Sequence, residues 1–167
     1  MDKGKHLMLL VRNSIFETNS SSTHNFVLGN GDYDIKPFIE PAWNTEFGWQ
    51  YTTWNSPEEK LAYVIRCLLN GYKWNYNGAE RDSWKDEDFI QGEMIVAALK
   101  PFKDRCNYLG FDFSYPSVAD LELGYIDHES DYKEEIKDLI LEDKDLLNFI
   151  FNPNSSIEGG NDNEMYF

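Results

Sequence analysis

The stretch SPEEKLAYVIRCLLNG, residues 56–71, predicts the clearest helix in the sequence. Ser56 is suited to cap the first turn, and it is followed by a proline in that turn and by a glutamate three residues after the cap. Apolar residues then recur at helical spacing and predict a buried face: Leu61, Val64, Ile65, Leu68 and Leu69. Asn70-Gly71 predicts the end of the helix. We therefore expect this helix to be part of the core.

Segments on either side of this helix predict further strands and helices. Short apolar or alternating runs predict strands at residues 7–11, 23–28, 33–35 and 111–115. A helix is predicted at 83–101, ended by Pro101. Residues 133–141 and 143–151 predict two short helices, or one bent helix, ended by Asn152-Pro153. Polar, aromatic segments predict a loop or irregular hairpin at 40–55 and a loop at 72–82. We expect one α+β domain over residues 1–167, with a small mixed or antiparallel sheet packed against several helices and a polar C-terminal tail at 154–167.

The chain is strongly acidic, with 30 Asp and Glu against 15 Lys and Arg and a net charge of −15. This charge repels nucleic acid and anionic membranes and attracts basic surfaces, so direct nucleic-acid binding is not expected. Two interpretations stay open: the charge only keeps the protein soluble, or it mimics a polyanion such as DNA. The aromatic content of 16% predicts exposed rings that anchor a partner, and we single out Trp49, Trp54 and Trp74.

The cysteines and histidines predict no metal site. Cys67 and Cys106 lack metal-type spacing, and we expect free thiols in a reducing compartment. The sequence contains no P-loop, no dinucleotide-binding fingerprint and no zinc-protease motif, so no cofactor is assigned. The apolar run at 7–11 is too short for a signal peptide or a membrane span, and we expect a cytoplasmic location.

The first of three polar clusters is ETNSSSTH, residues 17–24, which lies between two apolar runs. Serine hydroxyls and backbone amides of such a turn can donate to an anion, and a serine beside a histidine can be an activated nucleophile. The alternative is an elaborate turn whose side chains bond to their own backbone.

Two further clusters carry polar groups. Residues 124–131 include Asp127 and His128, which suit a general base or a metal ligand, although adjacent strand residues point to opposite faces. A cap for the following helix is the alternative. Residues 158–163 contain paired glycines, asparagine and aspartate, which can approach and hold a ligand, with a frayed tail as the alternative.

Residues 12–24, RNSIFETNSSSTH, resemble the opening of an uncharacterised family of phage and prophage proteins. That family begins with the pattern Arg-x-Ser-x-Phe-Glu-Thr-Asn-Ser-Ser-Ser-x-His. The segments YIDH at 125–128 and GGNDN at 159–163 are similar to the same group, and Asn25 stands here where the pattern has serine. The resemblance implies a phage or mobile-element origin and assigns no activity.

Two functions are weighed, and the sequence leaves open whether the protein is an enzyme. The first is a phage-type accessory protein that binds a basic surface and inhibits a host nucleic-acid-handling or defence complex, in the cytoplasm of an infected or lysogenic bacterium. The second is an enzyme or small-ligand binder for phosphate, nucleotide or ester. Its catalytic candidates are Ser20, Ser21, Ser22, His24, Asp127 and His128, and its binding candidates are Glu17, Asn19, Gly160, Asn161 and Asp162. A virion or assembly component without a discrete site is the third possibility.

Overall fold

The structure, a computed structural model, describes residues 22–48, 52–77, 92–126 and 142–161. Within these ranges the helices are α1 (Pro57–Asn77), α2 (Glu93–Tyr108), α3 (Val118–Leu123) and α4 (Asp143–Phe151). The strands are β1 (Ser22–Val27), β2 (Phe38–Ile39), β3 (Glu46–Phe47), β4 (Thr53–Trp54), β5 (Asp112–Phe113), β6 (Tyr125–Ile126) and β7 (Ser156–Asn161). The predicted α+β class is confirmed.

Helix α1 is the centre of the fold. Residues 60–67 are all buried, so more than two helical turns are enclosed on every side. The predicted capping box is confirmed. Ser56 Oγ accepts from the backbone N–H of Glu59 at 3.2 Å, and the Glu59 carboxylate accepts from the Ser56 N–H at 3.2 Å. Two N–H groups that lack partners within the helix are thereby satisfied.

Helix α1 does not end at Asn70-Gly71, and the predicted loop from residue 72 is also wrong, because residues 72–77 continue the helix. Among the described residues, the glycines with positive φ are Gly31, Gly92 and Gly110, so Gly71 does not adopt the left-handed helix-ending conformation. A glycine inside a helix costs about 1 kcal/mol relative to alanine. Burial of the α1 residues before Gly71, up to Leu69, stabilises the helix by more than that cost.

Helix α2 passes through the predicted stop at Pro101 and ends at Tyr108. Its buried residues keep helical spacing on both sides of the proline: Ile95, Leu99, Phe102 and Cys106. An interior proline costs about 3 kcal/mol, whereas burying one large apolar side chain contributes about 1.5–3 kcal/mol. Burial beyond the proline therefore offsets its cost. The predicted start of this helix near residue 83 lies outside the described residues.

The strands of the described residues form three small sheets. The largest has the strand order β1-β7-β4 with antiparallel neighbours, and two parallel pairs join β2 to β5 and β3 to β6. Strand β1 matches the predicted strand 23–28, and α4 matches the predicted helix 143–151 and its end before Asn152. The predicted strand at 7–11 and helix at 133–141 lie outside the described residues.

Part of the predicted polar tail is the middle strand of the largest sheet. Residues 156–161 form β7, in which the fully buried Ile157 lies between Phe26 of β1 and Trp54 of β4. The rest of the strand is polar or glycine, so the sequence lacks the alternating apolar pattern that indicates a strand. Residues 156–161 nevertheless form a strand, because pairing with β1 on one side and β4 on the other stabilises it.

The aromatic segment 40–55 forms neither a continuous loop nor a hairpin. Its strands β3 and β4 pair with β6 and β7 rather than with each other. Trp43, Phe47 and Trp54 are buried in the core, and the rings of Phe47 and Trp54 lie 5.1 Å apart between centroids. These aromatics stabilise the fold and are not surface residues.

The predicted strand at 33–35 is also wrong. The strand of this region is β2, which begins directly after Pro37. The Pro37 carbonyl accepts from the backbone N–H of Asp112 at 3.0 Å and so extends the pairing between β2 and β5.

Candidate functional site

The register of the largest sheet joins the first polar cluster to the third. Strands β1 and β7 pair with Ser22 opposite Asn161, Thr23 opposite Gly160 and His24 opposite Gly159. Opposed residues of an antiparallel pair have neighbouring side-chain positions on the same face. Segments from the two ends of the sequence therefore meet at one end of this sheet.

The second cluster begins beside the same place. Strand β6 ends at Ile126, which pairs with Phe47, and the residue after Phe47 is Gly48. The Gly48 carbonyl accepts a hydrogen bond from His24 Nε2 at 3.0 Å. A Cβ added to Gly48 would lie 3.5 Å from the Tyr125 hydroxyl, so the two strands are in close contact here. The described start of the second cluster thus lies next to the His24 contact.

His24 itself is a core residue, with 2% of its surface exposed. Its Nδ1 lies 3.1 Å from the Tyr63 hydroxyl, and its Nε2 bonds to the Gly48 carbonyl. Because a carbonyl only accepts, Nε2 carries the proton, and in the neutral ring Nδ1 accepts from Tyr63. The rings of Trp54 and Tyr63 pack edge-on against the imidazole, at 5.7 and 5.6 Å between centroids. Both nitrogens have partners in the core, which gives His24 a structural role joining β1 to α1 and places it poorly as a base for a serine.

The other predicted site residues fall into three groups. Ser22, Gly160 and Asn161 lie in the paired strands, and Trp74 lies in α1. Trp54 is 5% exposed, so it packs the core and does not present a ring to a partner. The remaining candidates lie outside the described residues: Glu17, Asn19, Ser20, Ser21, Trp49, Asp127, His128 and Asp162.

Lys60, which the sequence reasoning did not single out, is a fully buried cation on α1. Its Nζ donates to the carbonyls of Asn152 at 2.9 Å and Ser155 at 3.0 Å, between the end of α4 and the start of β7. An ammonium at the end of a helix also interacts favourably with the helix dipole. Burial lowers the pKa of Lys60 from 10.5 to about 8. Lys60 therefore fixes the C-terminal segment to the central helix.

Arg66 likewise fixes other segments of the chain to α1 through hydrogen bonds to their carbonyls. Its Nη2 donates to the Trp43 carbonyl at 2.6 Å, and its Nη1 donates to the Leu121 carbonyl at 3.1 Å. With Tyr63 between them, Lys60 and Arg66 place three polar side chains at intervals of three residues inside an apolar helix. That spacing is typical of a solvated helix face, so the sequence gives no indication that these groups are buried. Because an unbonded buried charge is very costly, each of the two cations is bonded to carbonyls.

Burial of two cations makes the surface more acidic than the composition indicates. Among the described residues two cations are buried, so at most 13 of the 15 Lys and Arg side chains reach the surface. Four more form ion pairs: Lys36–Glu58, Lys100–Asp104, Lys103–Asp112 and Arg105–Asp143. Within the described ranges, several exposed carboxylates form no ion pair with a described basic side chain: Asp32, Asp34, Glu46, Glu93, Glu122 and Glu158.

Comparison of the chain with protein-family models, with curated proteins and with solved structures returns no match. In the part of the chain that the structure describes, no three His, Cys, Asp or Glu side chains are grouped so that they could hold a metal ion. None of the helices in that part is long and apolar enough to cross a membrane. Cys67 and Cys106 are buried and unbridged, in agreement with the predicted free thiols.

Proposed function

We propose that the protein is an acidic binding protein that engages a basic surface of a nucleic-acid-handling or defence complex in its host's cytoplasm and inhibits that complex. The observation that carries this proposal is the distribution of charge. Among the described residues, Lys60 and Arg66 are buried against carbonyls, four further cations form ion pairs, and several exposed carboxylates form none. Such a surface attracts basic partners and raises the rate of their association.

The target class follows from the same chemistry. Proteins that hold nucleic acid present Lys and Arg to phosphates, and exposed carboxylates are the protein groups that can occupy the same positions. The resemblance of the first polar cluster to phage proteins favours a host target. Mechanistically, the protein excludes nucleic acid from the basic channel by occupying it.

The test is a competition experiment. The immobilised protein captures a partner from a bacterial lysate, and binding of the purified partner to labelled DNA and RNA is then measured as this protein is added. We expect mutual exclusion of this protein and nucleic acid on the partner. Capture of no basic protein, or formation of a ternary complex with undiminished nucleic-acid affinity, would contradict the proposal.

A small-ligand site at the end of the largest sheet is the second candidate. It is favoured by the pairing of Ser22 with Asn161 and of Thr23 with Gly160, which joins two polar clusters distant in sequence. The residue types paired there, serine, threonine, asparagine and glycine, are of the kind that bind a phosphate, a nucleotide or an ester. The core position of His24 favours binding over serine-type catalysis.

This candidate is tested by thermal unfolding with a panel of inorganic phosphate, nucleotides and phosphate esters. A ligand should raise the unfolding temperature. The rise should disappear in Ser22→Ala and Asn161→Ala and persist in Asn25→Ala, a control further along β1. A panel that gives no rise for the parent protein would exclude those ligand classes.

A further inference from the structure

Exposed apolar and acidic side chains follow one another at the end of α3 and in the paired strands β3 and β6. Leu123, the last residue of α3, is 58% exposed, and Tyr125 of β6 is 47% exposed. Tyr125 pairs with Glu46 of β3, and both Glu46 and Glu122 are exposed. We call Glu46, Glu122, Leu123 and Tyr125 the β6 patch.

The alternation of the two strands produces this surface. Phe47 and Ile126 are opposite each other and buried, so the preceding residues of the two strands point to solvent. Gly124, between Leu123 and Tyr125, packs tightly against the loop that precedes β3. A Cβ at Gly124 would lie 2.3 Å from the Thr45 carbonyl oxygen. The backbone beneath the β6 patch therefore has little freedom, which lowers the entropy lost when a partner binds.

Charge distinguishes the β6 patch from the exposed Phe38. Phe38 is 53% exposed, but its paired neighbour Asp112 is already bonded to Lys103 at 2.5 Å. Glu46 and Glu122 in the β6 patch form no ion pair with a basic side chain of the described residues. Exposed apolar surface and unpaired negative charge thus coincide at the β6 patch.

We propose that the β6 patch is the anchor point for an arginine-bearing segment of a basic protein partner. A guanidinium group can stack on the Tyr125 ring and bond to the Glu46 or Glu122 carboxylate, while its methylene stem covers Leu123. Charge complementarity selects this occupant over nucleic acid, which the same carboxylates repel. The inference rests on the proposed acidic binding function and assigns that function to one surface.

The probe is a nona-arginine peptide, with nona-lysine as its matched comparison. Titration of the isotope-labelled protein should shift the amide signals of residues 122–126 and 46–47 before those of other acidic segments. Arginine should bind more tightly than lysine, because only the guanidinium group is planar and bidentate. Tyr125→Ala should weaken nona-arginine binding by about 2- to 30-fold, the range of a cation–π contact, and reduce the preference for arginine. Phe38→Ala is the control and should bind as the parent does.

Each outcome decides one claim. If the parent protein binds neither peptide, the acidic binding function fails and the anchor assignment fails with it. If nona-arginine binds the parent and Tyr125→Ala equally, the β6 patch is not the anchor, while the binding function stands. Self-association of the parent that Tyr125→Ala abolishes would show that a second copy of the chain covers the β6 patch, which also overturns the assignment. Unchanged thermal unfolding of the variant verifies that folding is retained.

Discussion

The free energy of unfolding of the parent protein should rise as the pH becomes alkaline, because of Lys60. Replacement of Lys60 by methionine should remove that rise. In the folded protein the pKa of Lys60 is about 8, because burial disfavours the charged amine, whereas its ordinary value is 10.5. Between these pH values the unfolded chain binds the proton and the folded chain releases it, so stability increases with pH. Since a tenfold change in an equilibrium constant is about 1.4 kcal/mol, the full rise is about 3 kcal/mol.

The measurement is the free energy of unfolding by urea at pH 7 and at pH 10.5 for the parent and for Lys60→Met. Burial raises the pKa of Cys106 to about 12, so stability is also lost above the ordinary thiol value of 9.0. That loss is common to both proteins and cancels in the difference. The parent should therefore gain about 3 kcal/mol relative to the variant between the two pH values.

Methionine also removes two hydrogen bonds, to the Asn152 and Ser155 carbonyls, so the variant will differ from the parent at pH 7 as well. This contribution affects both pH values, because the neutral amine still donates to the same carbonyls. Equal pH dependence of the parent and the variant would refute the assignment of Lys60 as a buried cation.

Four further substitutions test α1 and the residues around it. Tyr63→Phe removes the hydroxyl that contacts the buried imidazole and should cost about 1–3 kcal/mol in urea unfolding, whereas Tyr108→Phe, at 86% exposed, should cost nothing measurable. Gly71→Ala should stabilise by about 0.5–1 kcal/mol, since nothing lies within 4 Å of the added Cβ. Gly124→Ala should destabilise the protein by at least about 1–3 kcal/mol, because the added Cβ clashes with the Thr45 carbonyl. Equal effects of Gly71→Ala and Gly124→Ala would contradict this account. Ser56→Ala should cost about 1 kcal/mol through loss of the capping box, and unchanged thermal unfolding would show that the cap is dispensable.

The sequence predicted those elements whose signals are local. Ser56 with Glu59 predicted the start of α1, and the helix 143–151 and the strand 23–28 followed from their own periodicity. The extension past Pro101 was not predictable locally, because its cost is offset by burial of Phe102 and Cys106 against other parts of the chain, and nothing in the local sequence predicted that α1 continues past Gly71. Tertiary contacts also determine β7, whose pairing partners lie far away in sequence.

The candidate site was predictable only in part. The polar clusters could be identified from the sequence, and the pairing of Ser22 with Asn161 shows that two of them meet. The role of His24 was not predictable, since a histidine in a polar run gives no indication that Tyr63 and Gly48 bury both ring nitrogens. Composition likewise predicted exposed aromatic anchors, whereas Trp54 is in the core.

The salt dependence of partner binding tests the proposed function most directly. Affinity for the captured basic partner should be measured from low to high salt for the parent and for the double variant Glu46→Gln/Glu122→Gln. At about 1 M salt, screening shortens the reach of exposed charges to about 3 Å, so the parent's affinity should fall steeply with salt. The double variant should bind more weakly at low salt and show a shallower fall. An affinity that is the same at low and at high salt would contradict an acidic surface as the basis of binding.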